Sequence, residues 1–498
     1  MDVREAAQRW WPITLVAVLL SGMLFGVLSD VYPLDWDTYQ RLSFISMYTS
    51  RVPADTHILY HEVLNVLTRI MGSSARAAFF MTATFWGALL VAVDGIARAR
   101  GLVGVQRAYV LGFVMLASPG IWSLTLMAED NASYWAPLLV FLHLMTEDRD
   151  TPSRERRRGV VAGVMLTIAL LMNITALIFF VIIPIGVFAW WTGRRSEALR
   201  TGTAAATALG LYVVYHLTLG QGGDAALTKY LIEAAALRDF GDNSAPTLST
   251  FRFQQFTWGA RAMFLTPTAH RMTIPSDLTW WFMEAGPRVI LLLYACIALW
   301  TYQNRERSPE ASWRLLRFGV VGITLAFPYL YEPTLIERWD LFWLCLVLGA
   351  MQFVKQRPTP WVTAAAVAAT MLQLMYTSVL FRNHFESLWA HAGQTGANTI
   401  IERVRTNDLG AIIVPRDIDR YLLAAVTYHA KGVEVALIGE RPDGNLECYR
   451  VTEWLSVFPA SCDIIPPMLQ SHNVLVSEHA EAALIRLADI TGEEPDSP

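Results

Sequence analysis

The residues best suited to chemistry stand together in one stretch, VYPLDWDTYQRLSFISMYTSRVPADTHILYHEV, residues 31–63. It holds Asp35, Asp37, Asp55, His57, His61 and Glu62. A carboxylate within hydrogen-bond reach of a hydroxyl can take its proton as that oxygen becomes a nucleophile. Asp35 and Asp37 flank Trp36 beside an apolar segment, and desolvation there would make either a stronger base. On a helix the two carboxylates diverge, and on an extended segment they share a face. The spacing leaves open which of them acts, and also leaves open a plain role in solvating a helix end. His57 and His61 are four apart and share a face if helical. Such a pair is half a metal site, and a third ligand would have to come from elsewhere. A structural or interfacial role is the alternative.

Further candidates lie far along the chain. Glu129 and Asp130 are adjacent acids in SPGIWSLTLMAEDNASYW. Such a pair can hold a divalent cation or polarise an acceptor, or it can be an ordinary polar turn. Arg338, in EPTLIERWDLFW, has the bidentate donors that suit a phosphate, although Glu332 or Glu337 could pair with it instead. Arg271 is a lesser candidate of the same kind. Cys448 and Cys462 lie in a polar C-terminal region and would form a disulfide if it is extracytoplasmic. Cys296 and Cys345 sit in apolar runs and read as packing residues. No CxxC and no Cys/His zinc pattern is present. The acceptor patterns at Asn131-Ala-Ser133 and Asn173-Ile-Thr175 fall too near apolar segments to suit glycosylation.

The elements that must position these residues are apolar helices. The chain has 498 residues, of which 54% are hydrophobic and 16% charged, and its mean hydropathy is +0.35. Typical soluble domains carry about 25% charged residues. The apolar excess recurs in blocks about twenty residues long, the length that spans a bilayer as helix. The fold class expected is an α-helical polytopic membrane bundle with about eleven transmembrane helices. The spans are placed at 11–30, 76–97, 108–126, 132–146, 202–219, 286–302, 315–331, 339–353 and 361–380, with two more from the long block 159–191 split near Asn173. The N-terminal run reads as a retained first helix rather than a signal peptide, because no small-x-small cleavage site follows it.

Arginine placement orients the bundle. The loops with Arg98, Arg100 and Arg107, with Arg154 and Arg156 to Arg158, with Arg194, Arg195 and Arg200, and with Arg305 and Arg307 all fall on the N-terminal side. The short connections on the other side hold only Arg338. The positive-inside rule then puts the N-terminus in the cytoplasm and three regions outside: loop 31–75, loop 220–285 and the tail. FRFQQFTWGARAMFL in the second loop reads as an interfacial helix. The chain divides into a transmembrane domain, 1–380, and a soluble domain, 381–498. In the latter, LGAIIVP, VEVALIGE and HNVLVSEH read as strands and DRYLLAAVTYHAKG as a helix, which predicts a small extracytoplasmic α/β domain. It carries no Gly-rich phosphate loop.

These features together resemble the GT-C superfamily of integral-membrane glycosyltransferases, which includes the protein O-mannosyltransferases and the lipid A aminoarabinose transferases. THILYHEVLNVL is similar to the family's His-Pro-hydrophobic-Tyr segment, with Ile58 where the proline stands. SPGIWSLTLMAEDNASY is similar to its Pro-then-acid exit, and IERWDLFWLCLV to its Arg-bearing start of a late helix. The resemblance implies a polyprenyl-phosphate-linked sugar as donor and inverting transfer to a lipid, glycan or protein acceptor at the outer face. It implies Asp35 or Asp37 as the base, Glu129 and Asp130 as acceptor or metal contacts, His57 as a donor-site residue and Arg338 as a phosphate contact. No cofactor follows with certainty; a divalent cation is the one candidate. Membrane lipids are expected partners and nucleic acid is not.

The rival classes are a transporter or flippase and a non-catalytic scaffold displaying the tail. A glycan ligase or polymerase is the closest enzymatic rival. Transporters place ionisable groups near the midplane. Here the acids gather at one surface, and Asp94, within a span, lies close to its inner end.

Overall fold

The computed structural model describes residues 58–71, 74–116, 121, 131–146, 152–218, 253–257, 259–260, 285–303, 311–330, 339–356, 358–375, 410–416, 423, 433–440, 445–451, 457–470, 474–476 and 480. Contacts divide the chain into two compact units. Among the described residues, one unit is helical and the other is built on a five-stranded sheet.

The helical unit contains α1 (Ile58–Met71), α2 (Ser74–Ala99), α3 (Gly104–Leu116), α4 (Asn131–Thr146) and α5 (Pro152–Met172). A 3-10 helix (Ile174–Val181) runs into α6 (Ile182–Trp191), and α7 (Arg195–Thr218), α8 (Gly286–Gln303), α9 (Ala311–Leu330) and α10 (Asp340–Lys355) follow. The last is α11 (Pro360–Met375). Of the described helices, one is long and apolar enough to cross a bilayer, over Arg76–Ala99 in α2. Shorter apolar helices occupy Thr175–Trp191, Arg288–Ile297, Gly319–Tyr329 and Pro360–Met375. The span predicted at 11–30 lies outside the described residues.

Two boundaries differ from the expectation. The segment 31–75 contains a helix, α1, whose residues Tyr60, His61, Leu64 and Asn65 are buried while Val66, Arg69 and Ile70 are exposed. That i, i+4 pattern buries one stripe against α2 and α5. The arginine run at 154–158 is not a loop but the first turns of α5, opened by Pro152, a residue suited to a helix's first position.

The break near Asn173 is present and has a local cause. Asn173 is extended, at φ −152° and ψ 125°, and its side chain accepts from the Thr175 backbone N–H at 2.8 Å. The side chain supplies the cap that starts a new helix, so α5 cannot continue. Asn173 and Asn131 are both buried. Packing of α5 on α7 rests on glycines: a Cβ on Gly163 would stand 2.6 Å from the Ala204 carbonyl oxygen, and one on Gly159 would stand 2.7 Å from that of Arg200. Small residues four apart let two backbones approach this closely.

In the second unit the strands are β1 (Ala411–Pro415), β2 (Glu434–Glu440), β3 (Leu446–Val451), β4 (Val457–Ala460) and β5 (Val474–Val476), in the order β4-β3-β2-β1-β5. β1 pairs in parallel with β2 and β5, and β2-β3-β4 is an antiparallel meander. Ile412, Val414, Val435 and Leu437 bury one face with Leu423, and Ala411, Ile413, Ala436 and Ile438 bury the other with Ile465 and Met468. Burial on both faces explains the unbroken apolar runs of β1 and β2. β4 is an edge strand, a place where Pro459 is tolerated. Cys448, on β3, is disulfide-bonded to Cys462, just beyond β4, across a separation of 14 residues.

Candidate active site

The best-defined polar group in the helical unit joins two helix starts. Asp340 opens α10, where a carboxylate interacts favourably with the helix dipole. Its Oδ2 accepts from the Tyr134 hydroxyl and, at 2.7 Å, from Trp135 Nε1, both near the start of α4. Asp340, Tyr134 and Trp135 are all fully buried. A carboxylate this far from water requires donors, and two aromatic side chains supply them. Rings close the surroundings: Trp135 meets Trp86 of α2 edge-on at 5.8 Å and Trp343 of α10 at 5.6 Å. Phe256, in a helical turn at 253–257, packs on Trp339 at 4.6 Å and on Tyr329 at 5.4 Å. That turn falls within the segment predicted as an interfacial helix.

The opposite end of α4 is basic. Arg200, fully buried on α7, pairs with Glu155 of α5, and its Nη1 donates to the Leu144 carbonyl at 3.1 Å and the Met145 carbonyl at 3.3 Å. Arg100 donates to His143 Nδ1 at 3.4 Å and to the Leu348 carbonyl at 3.2 Å near the far end of α10. Asp94 forms ion pairs with Arg98 at 2.5 Å and Arg107 at 3.0 Å. Glu197, also buried, precedes the apolar part of α7. Burial pushes its carboxyl up to about 7, against the lowering pull of Arg194 and Arg200. The arginines gathered at this end therefore serve the packing of α2, α5, α7 and α10.

Of the residues predicted for the site, His61 is described: it lies on α1, buried, edge-on to the Tyr60 ring at 5.8 Å. Asp35, Asp37, His57, Glu129, Asp130, Arg271 and Arg338 lie outside the described residues. Two of them adjoin the helices of the Asp340 group in sequence. Asp130 immediately precedes α4, and Arg338 stands two residues before Asp340. Among the described residues no three His, Cys, Asp or Glu side chains come together as a metal site.

Among solved structures the chain is similar to ArnT from Cupriavidus metallidurans. With the form bound to undecaprenyl phosphate, the TM-score is 0.48 at 12% identity, over 90% of this chain and 98% of that one. With the apo form it is 0.41 at 11% identity, over 97% and 95%. No protein-family model and no curated protein matches the sequence.

Three groups escaped the sequence reading. Asp340 stood in view beside Arg338, but its partner Tyr134 is 206 residues away. Glu155 looked like one charge among many in an arginine run, and nothing marks it as buried except its place four residues before Gly159 on a tightly packed face. Glu197 carries no local signal.

Proposed function

We propose that the protein is a multi-pass membrane glycosyltransferase of GT-C type. It takes a sugar from a polyprenyl-phosphate donor and transfers it to an acceptor hydroxyl at the outer membrane face, with inversion. Asp35 or Asp37 accepts the acceptor's proton as its oxygen bonds to the anomeric carbon. The bond from that carbon to the phosphate oxygen breaks, and Arg338 holds the departing phosphate. Glu129 and Asp130 contact the acceptor or a divalent cation, and His57, His61 and Arg271 line the donor side. The N-terminus lies in the cytoplasm and the sheet domain outside.

One observation supports this reading most. The pairing of Tyr134 and Trp135 with Asp340 fastens the start of α4 to the start of α10. The acid pair and the phosphate-binding arginine are the residues directly upstream of those two starts. The pairing of Asp94 with two arginines supports it as well, since that acid is engaged in packing rather than set along a transport path.

The test is transfer of a labelled sugar from polyprenyl phosphate in membranes, comparing wild type with Asp35→Asn and Asp37→Asn. Loss of a general base lowers the rate by about 10²–10⁴-fold. One of the two variants is expected to show it, and normal turnover in both sinks the assignment.

A further inference from the structure

We propose that the end of the helical unit where α5 and α7 start and α6 stops binds the headgroup of an anionic phospholipid. The proposal takes from the preceding reading only that this unit lies in a bilayer.

Three helices bring their ends together here. Gly159 of α5 faces the Arg200 carbonyl of α7 and Gly163 faces that of Ala204, so α5 and α7 run parallel and start at the same end. The Glu155–Arg200 pair ties the two starts. Between α6 and α7 the chain turns tightly: Gly193 takes a positive φ of 77°, and the Arg194 N–H donates to the Ala189 carbonyl at 2.7 Å. That turn sets Trp190 and Trp191 beside Arg194 and Arg195.

The arginines at this end fall into two sets. Arg98, Arg107 and Arg200 pair with buried acids, as described above. Arg154, Arg156, Arg157 and Arg195 are exposed, and Arg194 is half-buried. Among the described residues the acids at this end, Asp94, Glu155 and Glu197, are all buried. Arg154 and Arg195 stand in the first turns of α5 and α7, where positive charge opposes the helix dipole, so they do not serve their own helices. The positive-inside rule asks for charge in each loop. It does not ask that two loops far apart in sequence converge on one tryptophan-flanked turn.

The apolar surface beside these charges gives the ligand its second half. Trp190 and Trp191 are 71% and 82% exposed, and Val187 and Phe188 precede them on exposed α6 surface. One helical turn beyond Arg156, Arg157 and Arg195 stand Val160, Val161 and Leu199, all exposed. Each of the three helices therefore carries exposed apolar residues that give way to Trp or Arg at this end. Tryptophan suits the headgroup level, with acyl chains on one side and water on the other. Clustered arginines at that level attract a lipid with net negative charge over a zwitterionic one.

The experiment compares retention of phosphatidylglycerol and phosphatidylcholine by the purified full-length chain in mixed micelles, read by native mass spectrometry. Wild type is expected to prefer phosphatidylglycerol, less so as salt is raised. Arg156→Gln/Arg157→Gln and Arg194→Gln/Arg195→Gln should each lower that preference at least about fivefold. Arg156→Lys/Arg157→Lys should keep most of it. Trp190→Ala/Trp191→Ala should weaken retention of both lipids and leave their ratio unchanged. Inorganic phosphate in excess should not displace the lipid, because it has no chains to lie against the apolar surface. The proposal is overturned by a wild type without preference, by an unchanged preference in either glutamine variant, or by displacement with inorganic phosphate. If a glutamine pair is not recovered folded, the single changes Arg156→Gln and Arg195→Gln decide. Wild type that alkaline extraction releases from membranes overturns the bilayer reading itself, a result distinct from loss of lipid preference.

Discussion

Replacing Arg200 by methionine should unlock the basic end of the bundle. The guanidinium is fully buried, pairs with Glu155 and donates to the carbonyls of Leu144 and Met145. Its removal strands the Glu155 carboxylate, whose remaining ion-pair contact is Arg158 at 3.9 Å. It also strands two carbonyls at the end of α4. Breaking a buried pair from one side costs about 3–5 kcal/mol. Glu155→Gln should cost less, about 1–3 kcal/mol, because Arg200 keeps its carbonyl acceptors. In Glu155→Gln/Arg200→Met no charge is left stranded, so the double change should cost less than the sum by about 2 kcal/mol, within the range seen for contacting residues. The assay is reversible unfolding of the full chain in mixed micelles by titration with a denaturing detergent. Additivity to within about 0.5 kcal/mol would show that the two side chains are independent and refute the reasoning.

Further expectations follow from single residues. Glu197 has a carboxyl raised to about 7 in the folded chain. The folded state then binds more protons than the unfolded one between pH 4.5 and 7, and stability falls as pH rises through that window. Glu197→Gln should therefore stabilise the protein at pH 8 and change little at pH 5, as read by thermal unfolding; equal effects at both would contradict the burial. Gly163→Ala puts a methyl group 2.6 Å from the Ala204 carbonyl oxygen and should cost about 1–3 kcal/mol, whereas Gly210→Ala, with nothing nearby, should not. Replacing Cys448 and Cys462 by serine opens a loop of 14 residues and should lower sheet-domain stability by about 3 kcal/mol, measurable by proteolysis with and without reductant.

How much of this was legible in the sequence depends on the range of the interaction. The break at Asn173 was readable because its cause is local, a polar capping residue inside an apolar run. β1 and β2 were readable because burial on both faces writes itself as continuous Ile, Val, Leu and Ala, and β5 because Val474-Leu475-Val476 is an unbroken apolar run. β3 was not, since LECYRV alternates and its acid and arginine look like loop residues, and β4 was hidden by Pro459. Helix α1 was passed over inside a stretch read as a loop, although Tyr60, Leu64 and their neighbours carry helical spacing. The Asp340 group depends on a contact across 206 residues. No window along the chain can contain it.

The 3-10 helix that begins at Asn173 changes how far its segment can stretch. A 3-10 turn rises about 2.0 Å per residue against about 1.5 Å in an α-helix. Ile174–Val181 has 8 residues in that form and α6 adds 10 as α-helix. Together they extend about 31 Å, where the same residues wound wholly as α-helix would reach about 27 Å. A hydrocarbon layer is about 30 Å thick. The 3-10 winding thus lets residues 174–191, an apolar run short by count, reach a length equal to the thickness of the layer.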